Sequence, residues 1–205
     1  MIANRSIIRE AAAVMAAAAE AAIEDYRRGL APQETSITDR MIANMQRAIL
    51  DFDKDGIRWS GTTVHSRTQE RRLGADLVGA LDIAVDGYSV QKGFLAQAKI
   101  LEMGAAIRDL AALRRQCRNM INTSAASFVF LYSRSGVTIV PAISVAGSSD
   151  PHIYNLHWRG LRRFYEEHFA SFIGDPGLGI SGRAAIDELI RKTTARVAFL
   201  VSARG

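Results

Sequence analysis

Two apolar runs, DLVGALDIAV at 76–85 and FLAQAKIL at 94–101, constrain the fold of this chain more than any other feature. Each has the length and the aliphatic and aromatic content of a strand, and the intervening DGYSVQKG reads as a hairpin loop that pairs them. A helical pattern, AAIRDLAALRRQCRNMIN, comes next. SFVFLYS and VTIVPAISVA follow as two more strand-like runs, turned at Arg134-Ser135-Gly136. Strands interleaved with helices predict a mixed α/β class, with one central mixed sheet flanked by helices on both sides.

The flanks agree with that class. The alanine-rich N-terminus faintly imitates a signal peptide, but Glu10 and Glu20 interrupt it and alanine favours an ordinary helix over about residues 6–28. DRMIANMQRAILDF is a second helix, opened by a capping Ser36 or Thr38. GTTVHSRT reads as a short strand and ERRLG as a turn out of it. Downstream, NLHWRGLRRFYEEHFASFI reads as a helix, GDPGLGISG as a loop, AAIDELIRKTTA as a helix and VAFLVSA as a last strand or tail. The 205 residues suit a single domain: an N-terminal helix over 1–30, a core over 34–133, and further strands and helices over 134–205.

Composition excludes several classes. At 48% hydrophobic and 23% charged, the chain has ordinary globular balance. No run reaches the eighteen or so apolar residues of a membrane span, and a cytoplasmic location is the expectation. A single cysteine, Cys117, excludes an internal disulfide and a cysteine-rich zinc site. The net charge of +5 mildly favours anionic partners such as nucleic acid.

The chemistry concentrates in the strand pair. Side chains alternate along a strand, so Gln97 and Lys99 project to one side. Asp76 opens the preceding strand after Gly74, which allows the backbone to turn. The hairpin allows Asp76, Gln97 and Lys99 to converge at one end, although their spacing in the chain does not fix the register. An Asp76 carboxylate, a Gln97 amide oxygen and the Ala98 carbonyl form an oxygen set suited to magnesium or manganese, completed by water and phosphate. Lys99 beside it would stabilise developing negative charge or orient the attacking water. The alternative is a buried structural pairing of Lys99 with Asp76.

At these residues the sequence resembles the PD-(D/E)XK nuclease superfamily. GAD at 74–76 and QAK at 97–99 look like its acid–hairpin–acid-x-lysine pattern, in the Q-x-K variant of Mrr-like restriction endonucleases. The resemblance covers mainly residues 34–133. It departs from the pattern in having no proline before Asp76 and a neutral amide at Gln97. It implies a restriction-endonuclease-like core and a Mg2+- or Mn2+-dependent endonuclease, acting on DNA in preference to RNA. It further implies a setting in restriction or antiphage defence, and a homodimer or an activating partner. A superfamily glutamate on the helix before the hairpin maps onto Glu34, which the resemblance implies as a further metal ligand compensating the charge missing at Gln97; its other reading is an acid near a helix N-terminus. Glu70 is a second choice for that acid, and Asp82, on the face of Asp76, a third. Arg71 and Arg72 are the expected phosphate contacts, ahead of Arg114-Arg115-Arg118 and Arg159-Arg162-Arg163. The competing reading from a different class is a nuclease-fold binding module without the chemistry.

Other motifs carry less. DFDKDG at 51–56 matches the start of a calcium-binding loop, but Arg58 and Thr62 stand at its eighth and twelfth positions, where an apolar residue and a glutamate belong. A solvated turn at a helix end is expected there. The glycine-rich 174–182 lacks the phosphate-loop lysine, and His152 and His157 are not spaced as a helical metal pair.

Overall fold

In a computed structural model the protein is described over residues 2–54, 56–66 and 74–205, with side chains from Ser6 onward. The helices are α1 (Ile2–Arg27), α2 (Glu34–Leu50), α3 (Leu110–Thr123), α4 (Ala142–Gly147), α5 (Leu161–Phe169) and α6 (Ile186–Thr193). The strands are β1 (Arg58–His65), β2 (Leu77–Val85), β3 (Tyr88–Ile100), β4 (Ser127–Ser133), β5 (Gly136–Pro141), β6 (Arg159–Gly160) and β7 (Val197–Arg204).

All seven strands form one mixed sheet in the order β1-β7-β2-β3-β4-β5-β6. The expected α/β class with a flanked central sheet is what the chain adopts. β2 and β4 are buried along almost their whole length, because helices cover both faces. On one face Phe94, Ala96, Phe130 and Tyr132 pack with residues of α1, α2 and α5. On the other Val78, Leu95, Val129 and Leu131 pack with residues of α3 and α6. Alanines 11, 12, 16, 19 and 22 are fully or almost fully buried along α1, and their small side chains let the helix lie close on α2 and α5. Cys117 is buried, and burial pushes its thiol up to about 12. Among the described residues, no helix is long and apolar enough to cross a membrane.

Several elements differ from the sequence expectation. The loop expected over 86–93 shrinks to Asp86-Gly87, and β3 starts at Tyr88. Tyr88 and Val90 are half-buried between exposed Ser89 and Gln91, the period-2 pattern of a strand with one wet face. VTIVPAISVA is not one strand: β5 stops at Pro141 and α4 begins at Ala142. The helix expected from 105 starts at Leu110, where the Asp109 carboxylate accepts from Ala112 N–H at 2.8 Å. The helix expected over 155–173 spans only 161–169, because Arg159 and Gly160 pair with β5. Trp158 is therefore outside it and exposed, while Tyr165 is buried.

The C-terminal run is a strand inserted between β1 and β2, antiparallel to the first and parallel to the second. The turn after α2 closes through a Lys54–Ile57 bridge, and Arg58 and Thr62 lie in β1, so the chain does not wrap a calcium loop there. The 174–182 loop crosses β3, where Gly93 and Asp175 exchange backbone hydrogen bonds at 3.0 and 2.8 Å. Asp82 is structural: it accepts from Gln91 Nε2 and Gly182 N–H, both at 3.1 Å, and pairs with Arg204.

A buried basic pair lies under α5. Lys92 Nζ donates to the Ile173 carbonyl at 2.7 Å, and His168 Nδ1 lies 3.2 Å from the same oxygen. Burial, then the Lys92 charge, push His168 down to about 3, so it stays neutral in the fold. The unfolded chain takes up a proton near the ordinary value of 6.5, and the folded chain does not. Stability is therefore expected to fall as the pH drops from about 6.5 toward 3, by roughly 1 kcal/mol per pH unit. Urea unfolding midpoints at pH 7 and pH 4.5 check this, with His168→Phe expected to show a shallower loss.

Candidate functional site

The site arises where β2 ends and β3 continues. The antiparallel register pairs Leu77 with Ala96, which sets Asp76 level with Gln97, while residues 97–100 run on beyond β2 and pair only with β4. Backbone groups of even-numbered β3 residues point toward β2, as the Asp76 N–H to Ala96 carbonyl bond of 2.9 Å shows. Beyond Asp76 those groups have no strand to meet, and carboxylates take its place. Asp76 Oδ2 accepts from Ala98 N–H at 3.0 Å, and Glu34 Oε1 accepts from Ile100 N–H at 3.0 Å. Two acids thus sit at successive open positions along one strand edge.

Gln97 and Asp76 are buried. The Gln97 amide nitrogen donates to Asp76 Oδ2 at 2.5 Å and to the Ala98 carbonyl at 3.1 Å. One group thus binds both oxygens at a common point. Reversing the amide would bring Oε1 to that point, and three oxygens would then meet with no proton between them. Carboxylate, amide and carbonyl oxygens are the donor types that a hard cation such as Mg2+ or Mn2+ takes, so these residue types could hold one with the amide turned. They are one carboxylate, one amide and one carbonyl; among the described residues no group of three or more His, Cys, Asp or Glu assembles.

Lys99 projects to the same side as Gln97, and its Nζ lies 3.3 Å from Glu34 Oε2. Glu34 therefore spends one oxygen on the β3 backbone and the other on Lys99, which anchors the ammonium. Its own helix is fixed from behind: Thr38 Oγ1 donates to the Glu34 carbonyl at 2.8 Å and lies 2.9 Å from the buried Tyr132 hydroxyl. Burial pushes that hydroxyl well above the ordinary phenol range, and the charges of Asp76 and Glu34 add to the effect. A cleft of about 610 Å³ opens beside Glu34 and Lys99, walled by residues 105–109 and by Leu113 and Gln116 of α3. Arg108 is exposed on that wall.

The structure thus brings together Asp76, Gln97, Ala98, Lys99 and Glu34. Glu70, Arg71 and Arg72 lie outside the described residues. Asp82 is remote, tied to Arg204 at the other end of β2. Arg159, Arg162 and Arg163 are paired with Glu166 and Glu167 of α5. His152 and His157 are exposed. Sequence reading missed Arg108, Thr38 and Tyr132. The first was counted as helix, and the other two touch the site only through tertiary contacts.

No family model matches the chain, and neither curated proteins nor solved structures give a match.

Proposed function

We propose that this chain is a Mg2+- or Mn2+-dependent nuclease of the PD-(D/E)XK type, cutting phosphodiester bonds of nucleic acid, DNA ahead of RNA, on a restriction-endonuclease-like core. The observation that carries the reading is the meeting of Asp76 Oδ2 and the Ala98 carbonyl on the Gln97 amide, with Lys99 beside it. The Asp76 carboxylate, the Ala98 carbonyl and the Gln97 amide, turned oxygen-first, would hold the ion. Bound there, such an ion would supply Lewis-acid chemistry, making water more acidic and offsetting charge on the phosphate.

The chain's own residues do the rest. Lys99 directs its ammonium at the oxyanion that develops as water adds to phosphorus, a fixed charge placed before the reaction begins. Glu34 holds that ammonium by Oε2 and is itself fixed by Ile100 N–H, so the lysine is positioned by a carboxylate that the β3 backbone orients. The cleft alongside offers room for the strand. A place in restriction or antiphage defence and action as a homodimer accord with the resemblance.

A second reading, a nuclease-fold module that binds nucleic acid without cutting, is favoured by one observation: Gln97 is neutral and already satisfied by its two contacts. Calorimetric titration with Mn2+ separates the two. The nuclease reading expects wild-type binding that weakens at least about tenfold in Asp76→Asn, since one formal charge leaves the ligand set. Equal affinity in both proteins, or none in either, goes against it.

A further inference from the structure

Just past Lys99 the chain leaves the sheet and separates two hollows. Leu101 N–H donates to the Tyr132 carbonyl at 2.9 Å, and Arg134 N–H donates to the Glu102 carboxylate at 3.1 Å. The turn between β4 and β5 is thereby held against residues 101–102, at the end of the sheet that carries the candidate centre. Glu102 lines the cleft beside Lys99, and Met103, the next residue, lines a second hollow of about 330 Å³. Four residues of extended chain span at most about 14 Å, so Met103 lies within reach of a few nucleotides from Lys99.

Trp158 lines the same hollow. It stands just before β6, whose pairing of Arg159 with Ile139 and of Gly160 with Thr138 fixes the backbone beside it. Trp158 is 49% exposed and Met103 61%, whereas the other tryptophan, Trp59, is buried and stacks on Phe169 with ring centroids 6.2 Å apart. A half-exposed indole and a polarizable thioether give a flat ring two apolar surfaces to lie on. Thr138, Glu20 and Arg27 add polar groups to the lining, and Tyr154 ties the hollow to the strand end through its hydroxyl, which donates to the Leu101 carbonyl at 2.6 Å. An apolar face with hydrogen-bonding groups around it matches a nucleobase, which has π faces and a polar edge. A base in a duplex has both faces stacked and cannot lie on the indole, so the base must be unpaired.

We propose that this hollow takes one unpaired nucleobase of the strand being cut, stacked on Trp158, so that the substrate is nucleic acid with a single-stranded stretch beside the scissile phosphate. The cut itself rests on the nuclease reading, while the base site is tested by binding alone. Negatively supercoiled DNA, which opens locally, offers such stretches as well.

Binding of a short single-stranded oligothymidylate and of a blunt DNA duplex to the full chain is measured in chelator, by tryptophan emission and by anisotropy of the labelled DNA, for wild type, Trp158→Phe and Trp158→Leu. The single strand is expected to quench wild-type emission, because Trp158 is open to it and Trp59 is buried. Trp158→Phe should bind it within about threefold of wild type and without quenching, and Trp158→Leu about tenfold more weakly with the salt slope preserved. Duplex affinity should be the same in all three proteins. Should Trp158→Leu not fold, the wild-type quench and the phenylalanine variant decide. A wild type that does not bind the single strand, or binds it without quenching, overturns the proposal. So does quenching that persists in Trp158→Phe, or a loss in Trp158→Leu that is equal on single strand and duplex. Quenching in a chain that cuts no nucleic acid with metal keeps the base site and rejects the nuclease. Metal-dependent cutting with single-strand affinity unchanged in Trp158→Leu does the reverse.

Discussion

Lys99→Ala is expected to slow nucleic-acid cleavage by about 10²–10³-fold, the usual cost of removing one preorganised charge from a developing oxyanion. Folding should hardly change. The Lys99–Glu34 pair is 23% and 34% exposed in its side chains, so water screens it, and its loss is expected to cost under about 1 kcal/mol. Glu34 still caps Ile100 N–H in the variant, which keeps the start of α2 attached to β3. The measurement is the single-turnover rate together with a urea midpoint on the same preparation. A rate within threefold of wild type would remove Lys99 from the chemistry. An equal collapse of rate and stability would make it structural.

Asp82→Ala should have the opposite profile, with a large loss of stability and no direct effect on the chemistry. Asp82 is 1% exposed, and its oxygens join β2 to Gln91 of β3, to Gly182 in the 174–182 loop and to Arg204 at the end of β7. Removing it leaves the Gly182 N–H and the Gln91 amide without that acceptor. Arg204 is 41% exposed and partly regains water, which moderates the cost. The expected loss is about 3 kcal/mol, which lowers Tm by roughly 6–12 °C in a chain of this size. Differential scanning calorimetry reads it, and the cleavage rate well below Tm should match wild type. A rate loss without a stability loss would bring Asp82 into the site, against its position at the far end of β2.

The two acids at the ends of β2 show what the sequence could and could not reveal. Asp76 and Asp82 share a face by alternation, and both open onto polar partners. Each stands level with a glutamine, Asp76 with Gln97 and Asp82 with Gln91, but only Gln97 is followed by a lysine, Lys99, on the same face, and which acid meets it follows from register. The register was hidden because Ser89, Gln91 and Lys92 gave 86–93 the look of a loop. Once the turn is Asp86-Gly87, Val85 pairs with Tyr88 and Asp76 must come level with Gln97. Gly74 has φ +75, the left-handed backbone conformation that glycine adopts without strain. Gln97 and Lys99 were legible because alternation is local.

Glu34 was legible through the resemblance, as the glutamate on the helix before the hairpin, and otherwise only as an acid near a helix start. What places it is the run of β3 past the end of β2, which leaves an N–H for it to cap. The place of the last strand was not legible at all, since nothing local reveals that it inserts between β1 and β2. The alanine helix and β4 were read from propensity and apolar content. VTIVPAISVA was misread because a short apolar run does not distinguish strand from buried helix, and Pro141 was the only sign of the change.

The central claim is that the Asp76–Gln97–Ala98 oxygens hold a metal that Lys99 works beside. The measurement that meets it most directly is cleavage of supercoiled plasmid DNA by wild type, Asp76→Ala and Lys99→Ala, in chelator and after Mg2+ or Mn2+ is restored. The account predicts nicked or linear product only for wild type and only with metal. Cutting that survives both substitutions or persists in chelator would contradict it, as would a wild-type chain that binds the plasmid equally with and without metal and never cuts.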